Sequence, residues 1–404
     1  MDLEQQVEIL MTGTEFGDEE LKAAMAAELL ERLKEAKKEG RPLRVYCGYD
    51  PTSTDLTLGH TITMRKLRQF QEFGHHVIFL IGDYTALVGD PSDKDKLRPR
   101  LTQDEVRAHA ETYAEQAFRI LDPEKTEVLY NSSWLSKLTF AELIYLASNF
   151  TVQQFINRDN FKKRWDNGDP VYLHETFYAI MQAYDAYAMK ADVQVGGSDQ
   201  LFNIVTAGRK LMTALGEKPN IGLTMGILPG TDGEIRMSKS LGNHIPINTD
   251  ANDMFGKVMS VPDKAMESYA SLTTRWRPDE LESFLKAVEE GSIHPRDAKM
   301  KLAKEITSIF YGEEQAEAAK QEFISIFQKG NLPDEMDVYI LKGDETVLDV
   351  LQASGMVSSR SEGRRLVDQN GVKLEGEVLT DPNSEFPGEG VLQVGKRRFL
   401  RIAK

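Results

Sequence analysis

A chain of 404 residues is longer than one hydrophobic core usually serves, so two or three domains are expected. A hydrophobic content of 41% and a mean hydropathy of -0.41, with no apolar run near the roughly 18 residues that a membrane helix needs, leave no membrane partner to expect. The net charge of -15 argues against a protein that coats nucleic acid indiscriminately, and a single cysteine, Cys47, rules out an internal disulfide and a cysteine zinc cluster.

The acidic N-terminus, MDLEQQVEIL, lacks the pattern of a secretion signal, so the cytoplasm is the expected location. The first forty residues read as amphipathic helix (Leu21, Leu29, Leu30, Leu33) ending at Gly40 before Pro42. Three β-rich runs follow, each closed by glycine and a polar residue: RVYCGYD, HVIFLIGD and DVQVGGSD. In a doubly wound parallel sheet these are buried strands, and Asp50, Asp83 and Asp199 converge at their carboxyl ends, where such sheets bind ligands. No GxGxxG follows a strand, which counts against a dinucleotide dehydrogenase.

Residues 101–190, between the second and third of these strands, show a helical pattern too long for a simple crossover, and part of it reads as an inserted subdomain. Its Phe140, Tyr145, Phe150 and Phe155 are expected to be core for the most part, the alternative being an exposed face between subunits. Residues 1–248 form the expected α/β Rossmann-like domain, with a mobile loop at 230–245. Residues 249–330 read as a helical domain, with apolar residues three and four apart from Leu302 to Phe327. A linker at 331–343 contains NLPDEMD. A small α+β domain at 344–404 then has a helix stopping at Gly355, a second carrying Arg364 and Arg365, a turn at Asn370-Gly371 and a closing basic strand.

The chemistry lies in two separated stretches. PTSTDLTLGH, Pro51 to His60, puts Gly59 and the donor His60 at a strand-to-helix corner. RMSKSLGN, Arg236 to Asn243, follows roughly 180 residues later and can fold two cations and two hydroxyls over a triphosphate. Each alone is weak, because a charged, Gly-ended loop is more often a solvated turn. A further feature is the spacing of Tyr178, Gln182 and Asp185, which places all three on one helix face. Buried polar groups need partners, so a polar ligand explains that stripe better than a core does.

The pair of motifs resembles the HIGH and KMSKS signatures of class I aminoacyl-tRNA synthetases. VYCGYDPT (Val45 to Thr52), YAIMQAYD (Tyr178 to Asp185) and QVGGSDQ (Gln194 to Gln200) narrow the likeness to the bacterial tyrosyl-tRNA synthetase family over nearly the whole chain. The resemblance implies a tyrosine pocket in which Tyr178, Gln182 and Asp90 hold the ammonium, Tyr46 and Asp185 the phenol, and Gln200 the carboxylate. It implies an ATP site of Cys47, Gly48, Asp50, Thr57, Gly59, Gly197, Asp199, Met237 and Ser238, with ATP arriving as its Mg²⁺ complex and no tightly bound cofactor or resident metal. His60, Thr52, Lys94, Arg98, Arg236 and Lys239 are implied to act on the triphosphate during adenylate formation. The tail resembles an RNA-binding domain shared with a ribosomal protein, and Arg360, Arg364, Arg365, Lys396, Arg397 and Arg398 are its candidate contacts to tRNA(Tyr). A homodimer through the insertion is also implied.

The sequence departs from the common family pattern at three places. Thr57 stands for the first His of HIGH, Leu201 and Phe202 follow GGSDQ where Trp is frequent, and Asp93 replaces the Gly of PSGK. Three other readings share parts of the pattern: a tryptophanyl-type relative, an RNA-binding protein without catalysis, and a small-molecule adenylyltransferase. Tyr46 with Asp185, together with the tail, argues against the first, and the third would not need the tail.

Overall fold

The computed structural model describes residues 1–51, 55–92, 103–328, 336–343, 345–395 and 398–403. They form two compact units, Met1–Ala316 and Glu317–Lys404. In the first, strands β1 (Arg44–Tyr49), β2 (His76–Ile81), β3 (Thr126–Tyr130), β4 (Val193–Gly197) and β5 (Ile221–Met225) make a five-stranded sheet in the order β3-β2-β1-β4-β5. Every pairing is parallel. The order reverses between β1 and β4, so the helices leaving these strands diverge and open a crevice at their carboxyl ends.

The three glycine-ended runs are β1, β2 and β4, as the sequence pattern indicates. The other two strands carry no such signal. β3, TEVLY, lies within the stretch expected to be helical; it is an edge strand, only half-buried, and its Glu127 accepts from His76 at 2.7 Å. An apolar run is required only where both faces are covered, so an edge strand can be short and mixed. In β5 Gly222 is a packing necessity, since a Cβ there would lie 2.8 Å from Ile204 Cγ2 and 2.9 Å from Val205 Cγ2.

The expected first helix is two, Leu3–Met11 and Glu19–Glu39, capped by Asp2 and Asp18, the second ending at Gly40 with φ 67°. Helix Leu58–Glu72 links β1 to β2 and buries Ile62, Leu67 and Phe70. Helix Leu173–Ala188 leads into β4. Of the four aromatics in the insertion, Phe155 is buried and Phe150 half-buried, whereas Tyr145 is exposed and Phe140 is 77% exposed. The expectation of core therefore fails for Phe140 and Tyr145. They stand with Ile144 on helix Phe140–Ala147, in which Leu146 is the buried residue.

The second unit has a five-stranded sheet in which β6 (Val338–Ile340), β7 (Val372–Leu374), β8 (Glu377–Val378), β9 (Gly390–Val394) and β10 (Arg398–Ala403) take the order β6-β10-β9-β7-β8. Helices Val347–Ala353 and Arg360–Asp368 pack Leu348, Leu351 and Val367 into a core with Leu392 and Leu400. The β7–β8 hairpin turns at Glu375 and Gly376, with φ 49° and 86°.

The amino ends of β1 and β4 are tied together by Asp192. It accepts from Arg32 Nη1 at 3.1 Å, Arg41 Nη1 at 2.7 Å and the Arg44 amide at 2.9 Å. Arg32 is itself buried, so removing its carboxylate strands a cation away from water. Asp192→Ala is expected to cost about 3 to 5 kcal/mol, visible as a lower urea midpoint. Replacing Arg32 and Asp192 together with Met and Leu should cost much less, and equal midpoints for the two variants would contradict this account.

Candidate active site

A cavity of about 270 Å³ opens at the carboxyl ends of β1 and β4. β1 and its following turn supply Tyr46, Cys47, Gly48 and Asp50, and the end of β4 supplies Gly197, Asp199 and Gln200. Thr57, Gly59 and His60 reach it from the first turn of helix Leu58–Glu72, and Tyr178, Gln182 and Asp185 from one face of helix Leu173–Ala188. Asp90, Arg236 and Met237 complete the predicted set that meets there. Ser238 and Lys239 do not line it: the Ser238 amide donates to Asn243 Oδ1 at 2.8 Å, and Lys239 donates to the Asp55 carbonyl. Thr52, Asp93, Lys94 and Arg98 lie outside the described residues. Asp83 does not join Asp50 and Asp199, because its two oxygens accept from the amide and hydroxyl of Ser132, at 2.9 and 2.5 Å.

At the closed end, Asp185 is 2% exposed and accepts from Trp134 Nε1 at 2.7 Å and Asn131 Nδ2 at 3.2 Å. Burial pushes its carboxyl up to about 8; the two donors work against that rise, and the negative charges of Asp50 and Asp83 add to it. Tyr46 Oη and Gln182 Oε1 are buried without a hydrogen-bond partner in the protein. Such atoms are costly unless a ligand completes them, so this end fits a polar aromatic group. Asp50 accepts from Thr85 Oγ1 at 2.7 Å and Tyr178 Oη at 2.9 Å. Gly82 makes room for that seat, because a Cβ there would stand 2.1 Å from Asp50 Oδ1.

The middle of the cavity is a relay of amides. Gln200 Nε2 donates to Asp90 Oδ2 at 2.6 Å, and Gln200 Oε1 accepts from Asn203 at 2.9 Å. At the open end Gly48 and Gly59 have ordinary backbone angles, and a Cβ added to either would meet no protein atom closer than 3.6 Å, so the fold itself would tolerate alanine at both. What a methyl would fill is cavity, which fits a bound nucleotide. The Thr57 amide donates to His60 Nδ1 at 3.1 Å. An Nδ1 that accepts from an amide carries no proton, so the neutral ring holds its proton on Nε2 as a donor. Thr57 Oγ1 lies 2.9 Å from the same Nδ1, and its hydroxyl thus orients His60. Burial pushes the Cys47 thiol up to about 11, which keeps it a thiol at neutral pH. Asp199 faces Arg236 Nη1 at 3.6 Å.

Sequence reasoning missed Asn131, Trp134, Thr85, Gly82 and Asn203. Asn131 and Trp134 follow β3, and with that strand unread nothing in NSSW placed them at the sheet's ligand edge. No cluster of three or more His, Cys, Asp and Glu able to hold a metal occurs among the described residues.

In the second unit Arg360 pairs with Asp349 at 2.7 Å, Arg398 lies 3.6 Å from Glu362, and Arg364 donates to Asn383 at 3.3 Å. Arg365 is exposed on the same helix, while Lys396 and Arg397 lie outside the described residues.

Residues 37–328 match the family of class I tRNA synthetases for tryptophan and tyrosine, and residues 347–390 match the S4 domain. The tyrosine–tRNA ligase of Thermotoga maritima is 47% identical over 93% of both chains, and that of Haemophilus influenzae is 48% identical over 93% of this chain and 92% of its own. This chain belongs to the tyrosine–tRNA ligases. Its fold is shared with the Aspergillus nidulans mitochondrial tyrosyl-tRNA synthetase (TM-score 0.63, 23% identity, 80% of this chain and 94% of that one). It is shared also with the tryptophanyl-tRNA synthetase of Encephalitozoon cuniculi (TM-score 0.54, 16% identity, 72% and 81%). The fold is thus shared with synthetases named for either amino acid.

The buried Asp185 makes the enzyme's stability depend on pH in a defined direction. Its folded value of about 8 lies above the ordinary carboxylate range, so its contribution is fully present below about pH 4 and is lost as pH rises through 8. The melting temperature of Asp185→Asn relative to the native enzyme should therefore move in the variant's favour from pH 5 to pH 8.5. A constant difference across that range would contradict the assignment.

Proposed function

We propose that the cavity is the adenylate-forming site of this tyrosine–tRNA ligase, and that the residues gathered there divide the work as follows. Tyrosine and ATP give tyrosyl-adenylate and pyrophosphate, and the tyrosyl group then passes to the terminal adenosine of tRNA(Tyr). The substrate phenol lies between Asp185 and Tyr46, with its ammonium near Tyr178, Gln182 and Asp90 and its carboxylate near Gln200. The observation that carries this reading is the pair of orphaned atoms, Tyr46 Oη and Gln182 Oε1, on the wall shared with the buried Asp185.

The nucleotide lies over Gly48 and Gly59. Asp199 accepts from the ribose hydroxyls, Cys47 borders the ribose, and His60 Nε2–H donates toward the α-phosphate. The attacking carboxylate is already a nucleophile and pyrophosphate a tolerable leaving group, so alignment and charge stabilisation account for the rate. Arg236 stands nearest the triphosphate path. Lys239, Lys94, Arg98 and Thr52 act from the flanking loops, and Mg²⁺ enters as part of the ATP substrate. Lys239 bonds the carbonyl of Asp55, so its loop is held against the motif that carries Thr52.

The second unit takes the tRNA through Arg360, Arg364, Arg365, Lys396, Arg397 and Arg398. The exposed Phe140, Ile144 and Tyr145 are the proposed contact with a second copy, giving a homodimer, and the cytoplasm is the proposed location. No helix among the described residues is long and apolar enough to cross a membrane.

Exchange of pyrophosphate into ATP tests the assignment directly: it should require tyrosine and fail with tryptophan. Exchange driven by tryptophan, or needing no amino acid, would refute it. Lys239→Ala should slow single-turnover adenylate formation by about a hundredfold with tyrosine affinity unchanged, and a normal rate would remove the loop from the chemistry. Cutting the chain near Lys342 should leave exchange intact while tRNA charging falls and tRNA binding becomes less steeply dependent on salt. Equal charging by both forms would exclude the tail from recognition.

A further inference from the structure

Arg158 is 7% exposed, and no carboxylate lies within ion-pair distance of it among the described residues. A buried guanidinium whose nearest acting negative charge, that of Asp90, lies beyond ion-pair distance is costly, so its environment must compensate. The side chain stacks over two rings, with Cζ 5.3 Å from the centre of Phe161 and 4.7 Å from that of Phe202. Its Nη2 donates to Ser92 Oγ at 2.8 Å, and its Nη1 is buried with no partner.

Ser92 is where this cation meets the cavity. The Ser92 amide donates to Asp90 Oδ1 at 2.9 Å, and Ser92 Oγ also accepts from Asn203 Nδ2 at 3.2 Å. Asn203 donates in turn to Gln200, and Gln200 donates to the other oxygen of Asp90. Asp90, Ser92, Asn203 and Gln200 therefore form a closed ring of hydrogen bonds, and Arg158 pins it from behind. Asn160, two residues on, donates to the Pro91 carbonyl and fastens the same turn.

We propose that Arg158 is a positioning residue: by clamping Ser92 it fixes the orientation of Asp90, and so the seat for the amino acid's ammonium. This rests on the assignment of Asp90 to the ammonium. Phe202, the second residue after GGSDQ, acquires a reason here, since its ring covers one face of the guanidinium.

The test uses two ligands that differ only at the ammonium, tyrosine and 3-(4-hydroxyphenyl)propanoate, titrated calorimetrically into the full-length enzyme. Arg158→Met and Ser92→Ala should each weaken tyrosine about tenfold, leave the propanoate within about twofold and keep ATP affinity unchanged. Arg158→Lys, which keeps a donor, should recover part of the loss. Equal weakening of both ligands would reduce Arg158 to a general structural role, and native tyrosine affinity in a folded Ser92→Ala variant would remove the clamp; either overturns the proposal. Asp90→Asn identifies a failure of the underlying assignment: if it loses no preference for tyrosine over the propanoate, Asp90 does not hold the ammonium and the proposal falls with it. If Asp90→Asn discriminates and the Arg158 and Ser92 variants do not, only the clamp is wrong.

Discussion

Four acidic side chains, Asp50, Asp90, Asp185 and Asp199, share one cavity in a chain that is already acidic, and holding each of them in place there is the constraint on which the site depends. Each is held by a different kind of partner. Asp50 has two hydroxyls, Asp90 an amide side chain and a backbone N–H, Asp185 an indole and an amide, and Asp199 faces a guanidinium. Neutral donors hold Asp50 and Asp90 without cancelling a carboxylate's charge, which suits the cationic ammonium proposed for this cavity. Asp185, deepest of the four, is the one whose ionisation burial resists most, and its proposed partner is a phenol.

The open end works by absence of bulk and by orientation of single donors. Gly48 and Gly59 border the cavity without any conformational or packing need for glycine. Thr57 replaces a histidine of the common motif, and its contacts show a compatible use of the position. It stands at the N-cap of the helix and holds His60 by Nδ1, which leaves the proton of the neutral ring on Nε2 even though the first histidine is gone.

In the second unit the candidate RNA-binding arginines are partly matched by acids, Arg360 by Asp349 and Arg398 by Glu362. Partial pairing of this kind holds long side chains in place and limits non-specific attraction to polyanions, which suits a protein whose overall charge is -15.

Most of the site was legible because its residues sit in contiguous motifs at fixed offsets. A strand's end delivers Cys47, Gly48 and Asp50 together, and a helix face delivers Tyr178, Gln182 and Asp185, since period alone decides which side chains share a surface. The parallel sheet was legible for the same reason in β1, β2 and β4, whose apolar runs reflect burial on both faces. β3 escaped because an edge strand needs no such run, and with it went Asn131 and Trp134, whose service to Asp185 spans more than fifty residues of chain. The exposure of Phe140 and Tyr145 was equally invisible, because an apolar stripe looks the same whether it meets its own core or faces outward. By itself, then, the sequence determined the local elements, the motifs and the chemistry they can carry. Only the tertiary structure decided which distant donors complete each carboxylate, because those contacts depend on how strands are ordered in the sheet, and no local spacing encodes that order.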